Sequence, residues 1–413
     1  MPPRLPGNRR AAIMLFLVAA GFLNGADRQL ISLMKPLLQA DLGWSDYTYG
    51  QMASVFQMAA AFGLVIAGWF VDRVGLRLAF PIGVGTWSLA AMAHGVVHTV
   101  GQFTFVRIWL GATEAIGTPA TIKAIATFYP PSGRAVALGA MNVYGSLGAM
   151  LVPILVPAMA MAVGWRATFL IAGGLGSIWV LGWMLSSRWI LQPEVGEAEP
   201  PPAGPPGPDE AVGVRAVLRD PATWAVAGGK VFSDQMYWFL VFWMPDLLRR
   251  EFGLGLSGVG LPLAVIAGVT ALGGLAGGLV SSRLLARGMA PVTARRLTML
   301  GCALLALALP AVLHTPSVWI AVSLLCLVMA AHQGFSVNLF ALTADITALP
   351  RVATTIGVAA FFGNLGGMAV LQASGWMLEN QYGYGPLLAF LAVSYLIALA
   401  WIQAWLPRVL GRG

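Results

Sequence analysis

The sequence predicts an all-α membrane protein with twelve transmembrane helices in two six-helix halves. Three observations carry that prediction. Of 413 residues, 58% are hydrophobic and only 10% charged, whereas a soluble domain carries about a quarter charged residues. The apolar runs reach about 20 residues or more without the alternation of a barrel strand, so each can cross the hydrocarbon core as a helix. A polar stretch rich in Pro and Gly divides the runs into two equal sets. The 50 Gly and 26 Pro suit a polytopic bundle, where small residues allow close helix approach and breaks can line cavities.

The first run, 11–34, follows a short basic stretch and is too long for the core of a cleavable signal, so it is expected to stay as the first span. Runs 47–71, 78–98, 102–126, 136–162 and 167–188 complete the first half. The stretch from Glu197 to Glu210 is acidic and dominated by Pro and Gly, the composition of a flexible linker. The second half follows as 222–248, 256–284, 296–313, 317–343, 352–378 and 384–406. The expected division is 1–190, a linker over 191–220, and 221–413. Gly68 to Arg77 joins spans two and three, and Gly278 to Arg287 echoes it at the matching place in the second half. Paired six-span halves with a site between them are the plan of many secondary transporters.

Charge sets the orientation. Most of the 24 Lys and Arg, among them Arg9, Arg10, Arg73, Arg77, Arg283, Arg287, Arg295 and Arg296, fall on the side of the N-terminus, against Lys35, Arg166, Arg249 and Arg250 on the other. The positive-inside rule then places both termini and the linker in the cytoplasm, and it explains the net charge of +8 without nucleic acid. Cys302 and Cys326 lie in separate apolar segments without metal or redox spacing and read as packing residues.

Asp27, Arg28, Arg107, Glu114, Lys123, Lys230 and Asp234 interrupt otherwise apolar spans. A charge at membrane depth is costly, so one kept there faces a cavity or a partner and has a task. Arg107 and Glu114 are seven residues apart, hence on one helix face about 10 Å apart. Lys230 and Asp234 are four apart and can satisfy each other. An arginine fork matches a carboxylate bidentately, and the match strengthens away from bulk water. Gln57, Tyr144, Gln333, Asn338 and Asn364 are hydroxyl-partner candidates, although helix–helix hydrogen bonds explain them nearly as well. Trp238 and Trp243 suit a stacking wall or an interfacial belt, and His332 a pocket hydrogen bond. His94 and His98 have i,i+4 spacing but no third ligand, so no metal is expected. There is no nucleotide loop, metal cluster or nucleophile triad, so neither an enzyme nor a cofactor is expected.

Gly68-Trp-Phe-Val-Asp72-Arg73-Val-Gly-Leu-Arg77 resembles the loop signature of the major facilitator superfamily. Four further stretches resemble its anion:cation symporter family, especially the hexuronate transporters. They are Asn24-Gly-Ala-Asp27-Arg28-Gln29 and on to Lys35-Pro36 in span one, Arg107 to Lys123 in span four, Lys230 to Pro245 in span seven and His332 to Phe340 in span ten. The resemblance implies a major facilitator fold and a secondary active transporter that imports an organic anion, a hexuronate or other sugar acid, by proton symport. Another carboxylate, monocarboxylate or aromatic, is the alternative, and a drug/proton antiporter a more distant one. It assigns Arg28 to the substrate carboxylate, and Asp27 and Glu114 to proton handling. Arg107 and Lys230 would be further anion contacts, while Asp72, Arg73, Arg77, Arg134 and Asp345 would close the cytoplasmic side. Galactonate-type members carry tyrosines where this chain has Gly25 and Ala61, substitutions expected to enlarge or re-shape the pocket. The expected setting is the bacterial inner membrane, with the protein monomeric and H+ as coupling ion.

Overall fold

The computed structural model describes residues 7–129, 131–190, 214–348 and 351–410, and all regular structure among them is helical. Each of the twelve expected spans is found. α1 (Gly7–Leu33) gives way to a short α2 (Lys35–Leu42). Pro36 occupies the first turn of α2, where its missing N–H and fixed φ are harmless. α3 (Asp46–Val74) meets α4 (Leu76–Ala93) at Gly75, whose φ of 80° is open to glycine but strained for other residues.

The fourth span is broken into α5 (Val100–Glu114) and α6 (Gly117–Phe128). A capping box between Thr99 and Gln102 starts α5 by satisfying backbone donors that have no intrahelical partner. α7 (Pro131–Ile190) contains spans five and six, which meet at Gly164 with φ 82°.

After the short α8 (Val214–Leu218), α9 (Pro221–Phe252) is capped by Asp220, whose side chain accepts from the Ala222 N–H at 3.0 Å. Ordered helix therefore begins inside the stretch expected to be linker; 191–213 lies outside the described residues. α10 (Gly260–Ala286), α11 (Pro291–Ala306) with a 3₁₀ turn (Leu309–His314), α12 (Val318–Ile346), α13 (Val352–Glu379) and α14 (Gly385–Leu410) complete the chain. Among the described residues, nine stretches are long and apolar enough to cross a membrane, and one of these, Gly145–Ile190, runs through Gly164 and so takes in span six.

Two compact units emerge: Met1–Leu37 with Met58–Ala211, and Leu38–Gln57 with Val212–Gly413. In the first unit α7 packs on α1 and α4. Trp179 and Trp183 stack at 5.4 Å, with Phe16 and Phe80 set edge-on against them, the offset and T-shaped geometries that aromatic quadrupoles favour.

The second unit is built on α9 against α13 and α14, and α10 against α12. A Cβ at Gly273 or Gly277 would run into the α12 backbone at Ala330 or Gly334, so these glycines permit the α10–α12 approach. Gly274 and Gly278 are not needed in this way. Nor is Gly68, where an added Cβ meets nothing within 4 Å; close helix approach therefore does not explain that glycine.

Leu38–Gln57 joins the second unit through specific contacts. Tyr49 Oη donates to the Phe242 carbonyl at 2.6 Å, Ser54 Oγ donates to the Met368 carbonyl at 3.1 Å, and Gly50 lies against Gly375. The end of α2 and about the first three turns of α3 thus cluster with the second unit. Large apolar side chains such as Leu185, 82% exposed, face outward, as a lipid-facing surface requires.

A buried charge cluster and a second ion pair

In the first unit, α1 brings Asn24, Asp27 and Arg28 against the broken fourth span. The break at Ala115–Ile116 interrupts the hydrogen-bond ladder directly after Glu114, and Asn24 Nδ2 donates to the Glu114 carbonyl at 3.3 Å. A side-chain donor satisfying a carbonyl at a break is what makes such a break tolerable at membrane depth.

Arg28 Nε donates to Glu114 Oε2 at 2.9 Å; the Arg28 side chain is 28% exposed and that of Glu114 fully buried. Asp27 and Arg107 are buried as well, and Asp27 lies within electrostatic reach of Glu114, Arg107 and Arg28. Two cations and two carboxylates thus balance in one buried cluster.

The gross attraction of the Arg28–Glu114 pair is about 6 kcal/mol at an effective dielectric of 20. Desolvation costs several kcal/mol per ion and offsets most of it. The pair therefore adds little to stability while it lasts, and removing one partner is expensive.

The neighbourhood of Arg107 also holds His94. His94 stacks on Phe169 at 5.0 Å, meets Phe103 edge-on, and bonds the Ala90 carbonyl through Nδ1 at 2.7 Å. These contacts explain it as a packing residue; His98 is exposed. No group of three or more His, Cys, Asp or Glu among the described residues is placed to hold a metal ion.

In the second unit, Lys230 Nζ lies 2.8 Å from Asp234 Oδ2, one turn along α9. Trp238 is half-buried between Tyr237 and Phe242. Trp243 is fully buried edge-on to Tyr49 at 4.9 Å, so it belongs to no interfacial belt. His332 bonds the Tyr395 hydroxyl and stacks on Tyr237 at 4.8 Å.

The amide of Asn338 donates to the Gly277 and Gly334 carbonyls at 3.1 and 2.8 Å, which uses it for helix packing. Gln57 and Asn364 bond each other, and Gln333 is half-buried beside Gly274. Gly25 has open space around its Cβ position, but Ala61 is fully buried. Of the two expected losses, only Gly25 leaves room.

Among the loop residues, Asp72 pairs with Lys123 at 2.9 Å, and Lys123 also donates to the Val71 carbonyl. Lys123 is thus held by a partner rather than snorkelling freely. Arg73 and Arg77 are exposed. Asp345 pairs with Arg295 at 3.3 Å, and Arg295 also donates to Ser281 Oγ. The side chains of Arg134 and Tyr144 lie outside the described residues.

Sequence reasoning missed a network at the start of α3 and the end of α9. Arg250 bridges Asp46 at 2.6 Å and Asp246 at 2.8 Å, and Tyr384 donates to Asp246 at 2.6 Å. The i,i+4 spacing of Asp246 and Arg250 was the available signal. Lys35, read from the sequence only as a charge on the side opposite the N-terminus, is fully buried at the start of α2.

Comparison with known proteins agrees with this architecture. Residues 17–371 match the family model described as Major Facilitator Superfamily. The chain is 24% identical to the Hexuronate transporter of Escherichia coli (strain K12), covering 92% of this chain and 90% of that protein. It is 25% identical to the D-galactonate transporter of Escherichia coli O6:H1 over 96% of each. It is 30% identical to the Probable L-galactonate transporter of Escherichia coli (strain K12) over 69% of this chain, an alignment that spans 64% of that relative.

A crystal structure of a bacterial homolog to the human lysosomal transporter Spinster, inward-facing and occupied, superposes with a TM-score of 0.76 at 20% identity, covering 98% of both chains. The twelve spans, the buried charges and a family match over most of the length lead to one conclusion: this chain belongs to the major facilitator superfamily and is a multi-pass integral membrane transporter, not an enzyme.

Proposed function

We propose that the protein imports a sugar-acid anion, a hexuronate or aldonate, by proton symport with alternating access. The observation that carries this reading is the Arg28–Glu114 ion pair, in which a part-exposed guanidinium is held by a fully buried carboxylate. Arg28 has the donor geometry to take a substrate carboxylate, but a charged Glu114 competes for it. A proton on Glu114 removes that competition and releases the guanidinium to the substrate. Binding of one proton and binding of one anion then favour each other, which is the thermodynamic requirement of symport. Asp27, buried beside the pair, is a second carboxylate able to share the proton.

The names of the relatives, hexuronate and D-galactonate transporters, support the sugar-acid class. The basic-residue bias supports cytoplasmic termini, and the Escherichia coli relatives support a bacterial inner membrane. The protein would act as a monomer with H+ as its only co-substrate.

The test is uptake of labelled D-galactonate and D-glucuronate into proteoliposomes under an inward proton gradient. Accumulation above equilibrium, abolished by a protonophore, supports the reading. Uptake that ignores the gradient, or no uptake of either acid, contradicts it. Gly25 favours a second reading, transport of a bulkier or aromatic carboxylate, because its Cβ position is open. A benzoate arm of the same assay separates the two.

A further inference from the structure

We propose that Asn24 is a positioning residue for coupling: together with Arg28 it clamps Glu114 at two points, and the clamp sets how strongly proton binding and anion binding favour each other. This role rests on the reading of Glu114 as the proton-linked competitor for Arg28, and every residue in it belongs to the first unit. Asn24 and Arg28 stand one turn apart on α1, about 6 Å along the axis, so they share a helix face. Both reach the same residue. Arg28 Nε donates to Glu114 Oε2 at 2.9 Å, and Asn24 Nδ2 donates to the Glu114 carbonyl at 3.3 Å.

Glu114 needs the second hold because it is the last residue of α5, where carbonyls run out of intrahelical donors. The Ile116 N–H bonds the Thr113 carbonyl at 3.2 Å, three residues back rather than four. The Pro119 ring would clash with the Ala115 carbonyl in a continuous helix, so the ladder of α6 does not extend back to fix Glu114. A buried carbonyl that loses its donor turns to find another, and the side chain on the same Cα turns with it. Gly117 keeps this corner open. A Cβ there would lie 3.6 Å from Asn24 Nδ2 and 3.7 Å from the fully buried Trp87 ring, which are ordinary contact distances.

The clamp also sorts the two carboxylate oxygens. Oε2 meets Arg28, while Oε1 is buried and makes no hydrogen bond among the described residues. Oε1 can therefore take a proton without first displacing the guanidinium, and the neutral carboxyl then holds Arg28 less. A Glu114 that drifts from this position competes less for Arg28 in its charged form, so a proton gives the substrate less advantage. The charged and titratable neighbours are Asp27 and Arg28 of α1, Arg107 of α5 and, next to Arg107, His94 of α4. Lys123 of α6 is engaged by Asp72 of α3, and Arg166 of α7 by the Val97 carbonyl.

Isothermal titration of the purified full-length protein with D-galactonate at pH 6 and at pH 8 tests the proposal. In the wild type the Kd at pH 8 should exceed that at pH 6 by about tenfold, within the usual range of coupling between two sites. Glu114→Gln should abolish the ratio, which separates Glu114 from Asp27 and His94. Asn24→Leu keeps the branched shape without the donor and should cut the ratio to about threefold or less. Asn24→Gln keeps the amide, has room for its extra methylene beside Gly117, and should restore most of the ratio. A lower melting temperature would follow the loss of any structural bond; the pH ratio would not. Asn24→Ser, too short to reach the carbonyl, should behave as Asn24→Leu and replaces it where the larger side chain prevents folding.

A wild-type ratio in Asn24→Leu or Asn24→Ser, with Glu114→Gln flat, overturns the role of Asn24 and leaves the coupling reading standing. A ratio lost as fully in Asn24→Gln as in Asn24→Leu also overturns it, because the donor would then not be what matters. A wild type that binds galactonate equally at both pH values, or at neither, overturns the reading of Glu114 and the role of Asn24 with it.

Discussion

Arg28→Lys isolates the role of the guanidinium fork. In the wild type, Arg28 Nε meets Glu114 Oε2 at 2.9 Å, and Glu114 has no exposed side-chain surface. Lysine keeps the positive charge, so the buried carboxylate remains compensated and the 3–5 kcal/mol penalty of an orphaned buried charge is avoided. The fold should therefore survive, with a melting temperature near wild type. What lysine cannot do is present two parallel N–H donors to an incoming carboxylate. A charge-assisted hydrogen bond is worth about 1.5–3 kcal/mol net. Losing one in a site where Arg28 keeps 28% exposure should cost at least about 1.4 kcal/mol, a tenfold weaker Kd. Isothermal titration with D-galactonate on correctly inserted protein measures it. An affinity within about twofold of wild type, at an unchanged melting temperature, would refute the assignment and move carboxylate binding to another cation. Arg28→Ala supplies the contrast: it should lose both binding and about 3 kcal/mol or more of stability.

Asp27→Asn should bind substrate and show a partial loss of gradient-driven accumulation, read from labelled uptake, because Glu114 keeps part of the proton traffic. Asp246→Asn should lower stability by about 2 kcal/mol, seen as a lower melting temperature, since it weakens the hold on Arg250 while leaving the Tyr384 bond a neutral acceptor. Gly277→Leu should prevent accumulation of folded protein, because its side chain meets the Gly334 backbone where α10 crosses α12. A protease site inserted between 200 and 208 should be cut in inside-out vesicles and protected in spheroplasts. The opposite pattern would reverse the topology.

The helical architecture was legible because apolar length and the Lys/Arg bias are local properties of the chain. All twelve spans were visible that way, and Gly75 and Gly164 mark two of the junctions between them. The break after Glu114 had a local signal in Gly117 and Pro119, since the Pro119 ring would clash with the Ala115 carbonyl in a continuous helix; what the sequence did not show is the support it receives from Asn24 of α1. The partner of Arg28 was hidden for a similar reason: sequence spacing pairs Glu114 with Arg107 on one helix, while the bond forms across 86 residues. Asn338 shows the converse limit. A polar residue in an apolar span looks the same whether it waits for substrate or holds two helix carbonyls. The association of Leu38–Gln57 with the second unit depends on backbone contacts such as Gly50 against Gly375, which composition does not encode.

Glu114→Gln tests the coupling claim most directly. Glutamine mimics the protonated carboxyl permanently and still offers Arg28 a neutral acceptor at the same position. In proteoliposomes the variant should exchange labelled D-galactonate against unlabelled galactonate inside, because exchange needs no net proton movement. The same vesicles should fail to concentrate galactonate when an inward proton gradient is imposed. Exchange without accumulation is the predicted result; accumulation at the wild-type level would contradict the account, since Arg28 and the proton would then be coupled through some other group or not at all.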